Sequence, residues 1–267
     1  MADETTYEVL ALRYGSMQER TRRDNFIMAD DHDAPMPIDY FVWLIRGGGR
    51  TILVDTGFEA EEAARRGRRM DRLPRDALIA VGVDPASVDT VVVTHLHYDH
   101  AGTLSDWPQA RFHLQEAEMA YATGRCMCEP AMQTPFSVDH VCEMVRHVYA
   151  GRVQFHAGDG AVAPGVTVHH VGGHTKGMMF VRVKTVRGWV VLASDAAHFY
   201  ENKEQRKPFV LVHSLEDMVR GWDRLYEHAT SRLHVIPGHD PLVMQRYPSL
   251  STATSGIAVR LDVAPVD

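Results

Sequence analysis

Apolar and polar residues alternate along this chain with two distinct periods, and the switches between them mark its elements. "YEVLALRYG" (7–15) reads as a strand. "YFVWLIRGGGRTILVDTG" (40–57) reads as two strands joined at glycines 47–49, where a tight turn needs φ > 0. Residues 16–38, between them, are polar and carry Asp and Pro, so they predict a loop. "EAEEAARRGRRMDRL" (59–73) and "RDALIAVGV" (75–83) have helical character. "VDTVVVT" (88–94) is a continuous β-branched run, which predicts a strand buried on both faces.

The second half repeats this scheme. "RFHL" (111–114), "GRVQFH" (151–156), "VTVHHV" (166–171), "MMFVRVK" (178–184) and "GWVVLAS" (188–194) read as strands. "SLEDMVRGWDRLYEHA" (214–229) predicts a helix with Ser214 as N-cap and Asp217 at the third position. Leu215, Met218, Val219, Trp222 and Leu225 recur there at helical spacing. "RLHVIPGHD" (232–240) adds a short strand. Strands interleaved with helices over two halves, roughly 1–150 and 151–267, predict a single α/β domain across 1–267. Its sheets pack on each other with helices outside, in four layers.

Composition narrows the function. A chain of 267 residues, 45% apolar and 24% charged, can bury a substantial core. Net charge −7 argues against a nucleic-acid backbone as partner. The acidic start "MADETTYEVL" lacks the pattern of a secretory signal, and the longest apolar runs, such as "GWVVLA" (188–193), are far too short to span a membrane. Cys126, Cys128 and Cys142 do not make a disulfide framework, so a reducing cytoplasm is expected. Sixteen histidines are many for this length and point to metal or proton chemistry.

The histidines concentrate in "VVVTHLHYDHAG" (91–102), directly after the predicted buried strand. Imidazole with carboxylate suits zinc and neighbouring first-row metals. Side chains alternate in extended backbone, so His95 and His97 point the same way and are placed to share one metal. Asp99 and His100 lie on the turn beyond, placed for a second. Further ligands are expected at strand ends: His174 in "VGGHTKG", Asp195 in "VLASDAAH" and His239 in "VIPGHD". The assembled set is His95, His97 and His174 on one metal, Asp99, His100 and His239 on the other, and Asp195 across both.

The motif His95-Leu96-His97-Tyr98-Asp99-His100, followed by Ala101-Gly102, resembles the "HxHxDH" motif of the metallo-β-lactamase superfamily. The resemblance extends in order through "ILVDTG" (52–57), "GGHTKG" (172–177), "SDAAH" (194–198) and "PGHD" (237–240), nearly the whole chain. It implies an αββα sandwich with a dinuclear site at one edge. Within the superfamily the chain is most similar to the lactonase branch, including N-acyl homoserine lactonases. Two departures stand out. That branch typically has a tyrosine three residues beyond the bridging aspartate, where this chain has His198; Tyr200 lies two further on. Many relatives also carry a histidine where this chain has Met178.

Two adjacent metals lower the pKa of a bridging water and polarise a carbonyl oxygen, which predicts hydrolysis of an ester-like bond. Asp99 is a candidate to carry the proton from attacking water to leaving oxygen. A neutral imidazole donates N–H, so His198 is the second catalytic candidate. The resemblance implies lactone opening on two divalent ions, Zn first, with Mn, Fe or Co as alternatives. The substrate is either a signalling acyl homoserine lactone, which would make the role quorum quenching, or a ring intermediate of aromatic catabolism. Thioester or phosphodiester hydrolysis on the same scaffold is the rival, and a homodimer is expected. Among lesser signals, "RRGRRMDR" (65–72) reads as a solvated helix face and the cysteines as ordinary buried residues. Phe26, Ile27 and Met28 are candidates for a lid, and "CMCEPAMQTPF" (126–136) for a pocket wall. Lys203, Arg206 and Lys207 are candidates to meet an acidic substrate.

Overall fold

The computed structural model describes residues 5–266; residues 1–4, the acidic start, and residue 267 lie outside the described range. The first half runs β1 (Glu8–Met17), β2 (Ile38–Gly47), β3 (Arg50–Val54), α1 (Ala60–Arg66), β4 (Arg69–Met70), α2 (Pro74–Ala80), β5 (Thr90–Val92), β6 (Arg111–Gln115), α3 (Glu116–Ala122), α4 (Pro130–Gln133) and α5 (Val138–Tyr149). The second runs β7 (Val153–His156), β8 (Gly160–Ala163), β9 (Val166–His170), β10 (Met179–Thr185), β11 (Gly188–Ser194), α6 (Tyr200–Gln205), α7 (Leu215–His228), β12 (Val235–Pro237), α8 (Leu242–Arg246) and β13 (Ala258–Arg260).

Two sheets form. One takes the order β13-β1-β2-β3-β5-β6-β7, with β4 added to β1; the other takes β12-β11-β10-β9-β8. Strands β3, β5, β6 and β7 pair in parallel, as do β11 and β12. The halves interlock, because β13 from the end of the chain pairs with β1.

Strand alternation sorts side chains between the layers. In β1, Val9 and Ala11 face the second sheet, while Leu10 and Leu12 face the layer of α2 and α5. In β10, Met179, Val181 and Val183 join the layer between the sheets, and Phe180 packs with Met218, Trp222 and Leu225 of α7. Burying each large apolar side chain stabilises the fold by about 1.5–3 kcal/mol. Helices, sheet, sheet and helix make the four-layer α/β sandwich that the pattern predicts.

Several elements differ in extent from the sequence reading. The helix expected over 59–73 ends at Arg66, because Gly67 takes φ 63° and caps the last turn in the left-handed conformation. Arg69 and Met70 then pair with β1. The strand over 88–94 shortens to β5, yet Val91 and Val92 enter opposite cores, as a run buried on both faces requires. Ser214 caps α7 as predicted, its hydroxyl accepting from the Asp217 amide at 3.2 Å. Helices α3, α5, α6 and α8 and strands β8 and β13 are not anticipated. Among the described residues no helix is long and apolar enough to cross a membrane.

Candidate metal centre

The histidine-rich turn sits where parallel strands end. His95, His97, Asp99 and His100 follow β5, His174 lies between β9 and β10, Asp195 follows β11 and His239 follows β12. All seven are at least nine-tenths buried. Tertiary packing brings them to one edge of the sandwich, between the sheets.

Asp195 is the hub. Its Oδ2 lies 3.2 Å from His174 Nε2 and 3.9 Å from His95 Nε2. Its Oδ1 lies 3.3 Å from His100 Nε2 and 3.0 Å from His239 Nε2. His97 Nδ1 stands 2.9 Å from His174 Nε2. Asp99 Oδ2 stands 3.7 Å from both His100 Nε2 and His239 Nε2. Ligand atoms of His95, His97 and His174 therefore gather at one point, and those of Asp99, His100 and His239 at another.

The outward ring nitrogens are engaged elsewhere, which fixes the tautomers. His174 Nδ1 donates to the Leu211 carbonyl at 2.8 Å, and His239 Nδ1 to the Asp39 carbonyl at 2.9 Å. His100 Nδ1 donates to Asp55 Oδ2 at 2.7 Å. Each Nε2 is left with its lone pair turned inward. His95 Nε2, His100 Nε2 and Asp195 Oδ1 are buried with no hydrogen-bond partner among the described residues. Buried polar atoms are rarely left so. Inward lone pairs on nitrogen and carboxylate oxygen fit a pair of first-row divalent cations.

Burial pushes His95 and His97 well below the ordinary histidine range, so both are neutral donors. Burial would also lower His100 and His239, but Asp195 and Asp99 raise both. Burial would raise Asp195; His239, His100 and His198 outweigh it and hold the carboxyl well below its usual range.

His198 joins this group. Its Nε2 donates to Asp195 Oδ2 at 2.9 Å, and its ring stacks on Phe209 with centroids 3.8 Å apart. Burial lowers its pKa to about 3, against the pull of Asp195, so its imidazole is neutral at neutral pH. Tyr200 does not reach the centre: its ring lies in the core between the sheets. Met178 is buried in the core under α7.

Other expectations need correction. The basic run 65–72 is only partly a solvated face. Arg66 pairs with Glu62, donates to the carbonyls of Thr134 and Phe136, and covers the Tyr98 ring at 4.0 Å. Arg68 donates to Tyr98 Oη at 3.0 Å. Cys128 and Cys142 are exposed rather than buried, and all three thiols are free. Lys203, Arg206 and Lys207 face ion-pair partners: Glu204, Asp223, and Asp30 with Glu201. Phe26 is buried against Phe199, while Ile27 and Met28 are exposed. Phe136 does form a wall, its ring edge-on to His97 at 4.6 Å.

Two carboxylates were missed by sequence reasoning. Asp55, inside "ILVDTG", takes φ 61° at the end of β3. It accepts from Thr94 N at 2.7 Å, Thr94 Oγ1 at 2.9 Å and Ser194 Oγ at 3.2 Å, tying the first sheet to the Asp195 turn. Glu118 of α3 is fully buried and accepts from Leu96 N at 2.9 Å, Thr175 Oγ1 at 2.6 Å and Gly177 N at 3.0 Å. It joins the His95–His97 turn to the His174 loop. A side chain at Gly177 would meet the Glu118 amide nitrogen at 2.1 Å, so only glycine allows that approach. The family motif around Asp55 was a usable signal; nothing local marks Glu118.

Comparison with known proteins bears on the family and the fold. The description "Metallo-beta-lactamase superfamily" matches residues 37–255. The chain is similar to the N-acyl homoserine lactonase AttM of Rhizobium radiobacter, 25% identical over 89% of this chain and 94% of that one. It is similar to the N-acyl homoserine lactonase AiiB of Agrobacterium fabrum, 29% identical over 80% of this chain and 83% of that one. Among solved structures, an N-acyl homoserine lactone hydrolase with N-hexanoyl-L-homoserine at its catalytic metal centre shares the fold. Its TM-score is 0.73 at 19% identity, over 89% of this chain and 95% of that one. AidC, a dizinc quorum-quenching lactonase, gives TM-score 0.69 at 12% identity, over 90% and 92%. With its two-sheet fold, its ordered motifs and a match over most of its length, the chain belongs to the metallo-β-lactamase superfamily.

Proposed function

We propose that this chain is a lactonase that hydrolyses the ring ester of a small lactone at a centre of two divalent cations. Zinc is the first choice; manganese, iron and cobalt suit the same donors. The observation that carries the reading is Asp195, whose Oδ2 faces His95 and His174 while its Oδ1 faces His100 and His239. Under this reading His95, His97 and His174 would hold one cation and Asp99, His100 and His239 the other, with Asp195 shared between the two. The lactone class is supported by AttM and AiiB, both N-acyl homoserine lactonases.

When bound, the two cations supply Lewis acidity, making a hydroxide available near neutral pH and drawing electrons from a carbonyl oxygen. The protein handles the proton. Asp99, whose Oδ2 is the carboxylate oxygen beside His100 and His239, takes a proton from the attacking water. It returns the proton to the ring oxygen as the acyl C–O bond breaks, leaving a hydroxy acid. His198 is neutral and held flat by Phe209; its one N–H, on Nε2, meets Asp195 Oδ2 and would turn from it to the substrate carbonyl oxygen as negative charge develops there.

The reading is tested on metal-quantified protein with a panel of acyl homoserine lactones, plain γ- and δ-lactones and carboxylated lactones, followed by proton release. Rapid opening of at least one class, abolished by a chelator and restored by metal, is expected. Two bound metals with no lactone opened would overturn it in favour of a thioester or phosphodiester. His198→Phe should retain both cations and lower kcat about a hundredfold. An unchanged kcat would remove His198 from the chemistry.

A further inference from the structure

We propose that Arg68 anchors an anionic group of the substrate, so that the lactone opened here carries a carboxylate. The inference rests on the lactonase reading and adds the chemical class of the substrate to it.

Arg68 differs from Arg65, Arg66 and Arg69 in the basic run, and from Arg72, which makes no ion pair among the described residues but donates to the Arg13 carbonyl at 2.7 Å. Arg65 and Arg66 pair with Glu62, and Arg69 pairs with Asp71. Arg68 makes no ion pair among the described residues, although it is half-buried. Its Nε donates to Tyr98 Oη at 3.0 Å, and its Nη1 approaches Met17 Sδ, a weak acceptor, at 3.1 Å. Its Nη2 has no hydrogen bond among the described residues. A guanidinium partly withdrawn from water, with an open donor edge, favours a carboxylate in bidentate geometry.

The position suits a substrate. Tyr98 stands between His97 and Asp99 in the metal motif and accepts the Arg68 Nε–H, which ties Arg68 to the turn that carries both ligands. Tyr98 Oη also meets Tyr40 Oη at 3.1 Å, and the Tyr40 ring lies edge-on to His239 at 5.4 Å. Arg68 is thus three contacts from His239, on the side where the leaving oxygen is expected. Asp99 is the carboxylate in its field, but Asp99 is turned to His100 and His239. The cations that follow the Asp195 turn are committed elsewhere. Lys203 is buried against the rings of Tyr200 and Tyr226, Arg206 holds Asp223, and Lys207 holds Glu201 and Asp30. Recruiting any of them would break an existing contact; recruiting Arg68 would not.

The test uses the full metal-loaded chain and two matched probes: a γ-lactone bearing a carboxymethyl group, and its neutral carboxamide. Wild type should open the carboxylate about tenfold to a hundredfold more efficiently, mainly through KM. Arg68→Gln should remove that preference, lowering kcat/KM on the carboxylate at least about ten times more than on the amide. Arg68→Lys, which keeps the charge but loses the fork, should restore part of it. Equal wild-type efficiency on both probes would overturn the anchor, while leaving the lactonase reading intact. An equal fall on both probes in Arg68→Gln would also overturn it, making Arg68 a support for Tyr98. If neither probe nor any other lactone is opened by metal-loaded protein, the lactonase reading fails and this inference with it.

Discussion

Replacing Asp195 by alanine is expected to strip both cations and lower hydrolysis about a thousandfold, while the chain stays folded. The carboxylate is the contact shared by both histidine groups, at 3.0–3.9 Å from four imidazoles. Without it, each group keeps three donors but nothing joins them. Folding should survive because the turn is held by other bonds. Trp222 Nε1 donates to the Ala196 carbonyl at 2.9 Å, and Gly238 N donates to the Ala197 carbonyl at 2.9 Å. Metal analysis, circular dichroism and rate on one preparation decide the matter. Two metals per chain with an ordinary rate would end the bridging assignment. Asp195→Asn separates shape from charge: it keeps the volume and should still lose metal.

The second large effect is expected far from any ligand atom. Glu118→Ala should lower stability by about 3–5 kcal/mol and weaken metal binding about tenfold to a hundredfold. Alanine would leave two buried amides, Leu96 N and Gly177 N, and the Thr175 hydroxyl without their acceptor. Those groups lie on the two loops that carry His95, His97 and His174, so loosening them spreads one imidazole cluster. Glu118→Gln keeps one acceptor oxygen and should cost less on both counts. Thermal unfolding and metal competition measure the pair. A Glu118→Ala protein with wild-type melting and metal affinity would show that the loops hold each other without it.

Much of the fold and the site is legible in the sequence, for a physical reason. Strands carry their burial in alternation, so the period-two pattern of β1 already separates Val9 and Ala11 from Leu10 and Leu12. The capping of α7 by Ser214 is equally local. Helix α5 escapes the sequence reading although Val138, Val141 and Val145 recur at helical spacing. His140, Cys142 and His147 in the same segment blur its polar face. Strands β8 and β13 have weak local patterns, and pairing with β9 and β1 makes them strands. The basic run misleads because charge alone reads as solvent-facing. Arg66 and Arg68 turn back onto Tyr98, a contact set by where Gly67 stops α1.

The layer pattern, the metal-binding residue types and their attachment to strand ends follow from the order of residues alone, since each depends on neighbours a few positions apart. The rest belongs to the packed chain. Packing turns Asp195 so that its two oxygens face two histidine groups, which requires β5, β9, β11 and β12 to end at one edge. Packing also makes Glu118 and Asp55 supports of the centre, since their partners lie 22 to 139 positions away in the chain. Finally, among the described residues it leaves Arg68 without an ion pair beside Tyr98 while pairing Arg65, Arg66 and Arg69. No spacing in the chain encodes that, because an ion pair depends on which side chains meet in space.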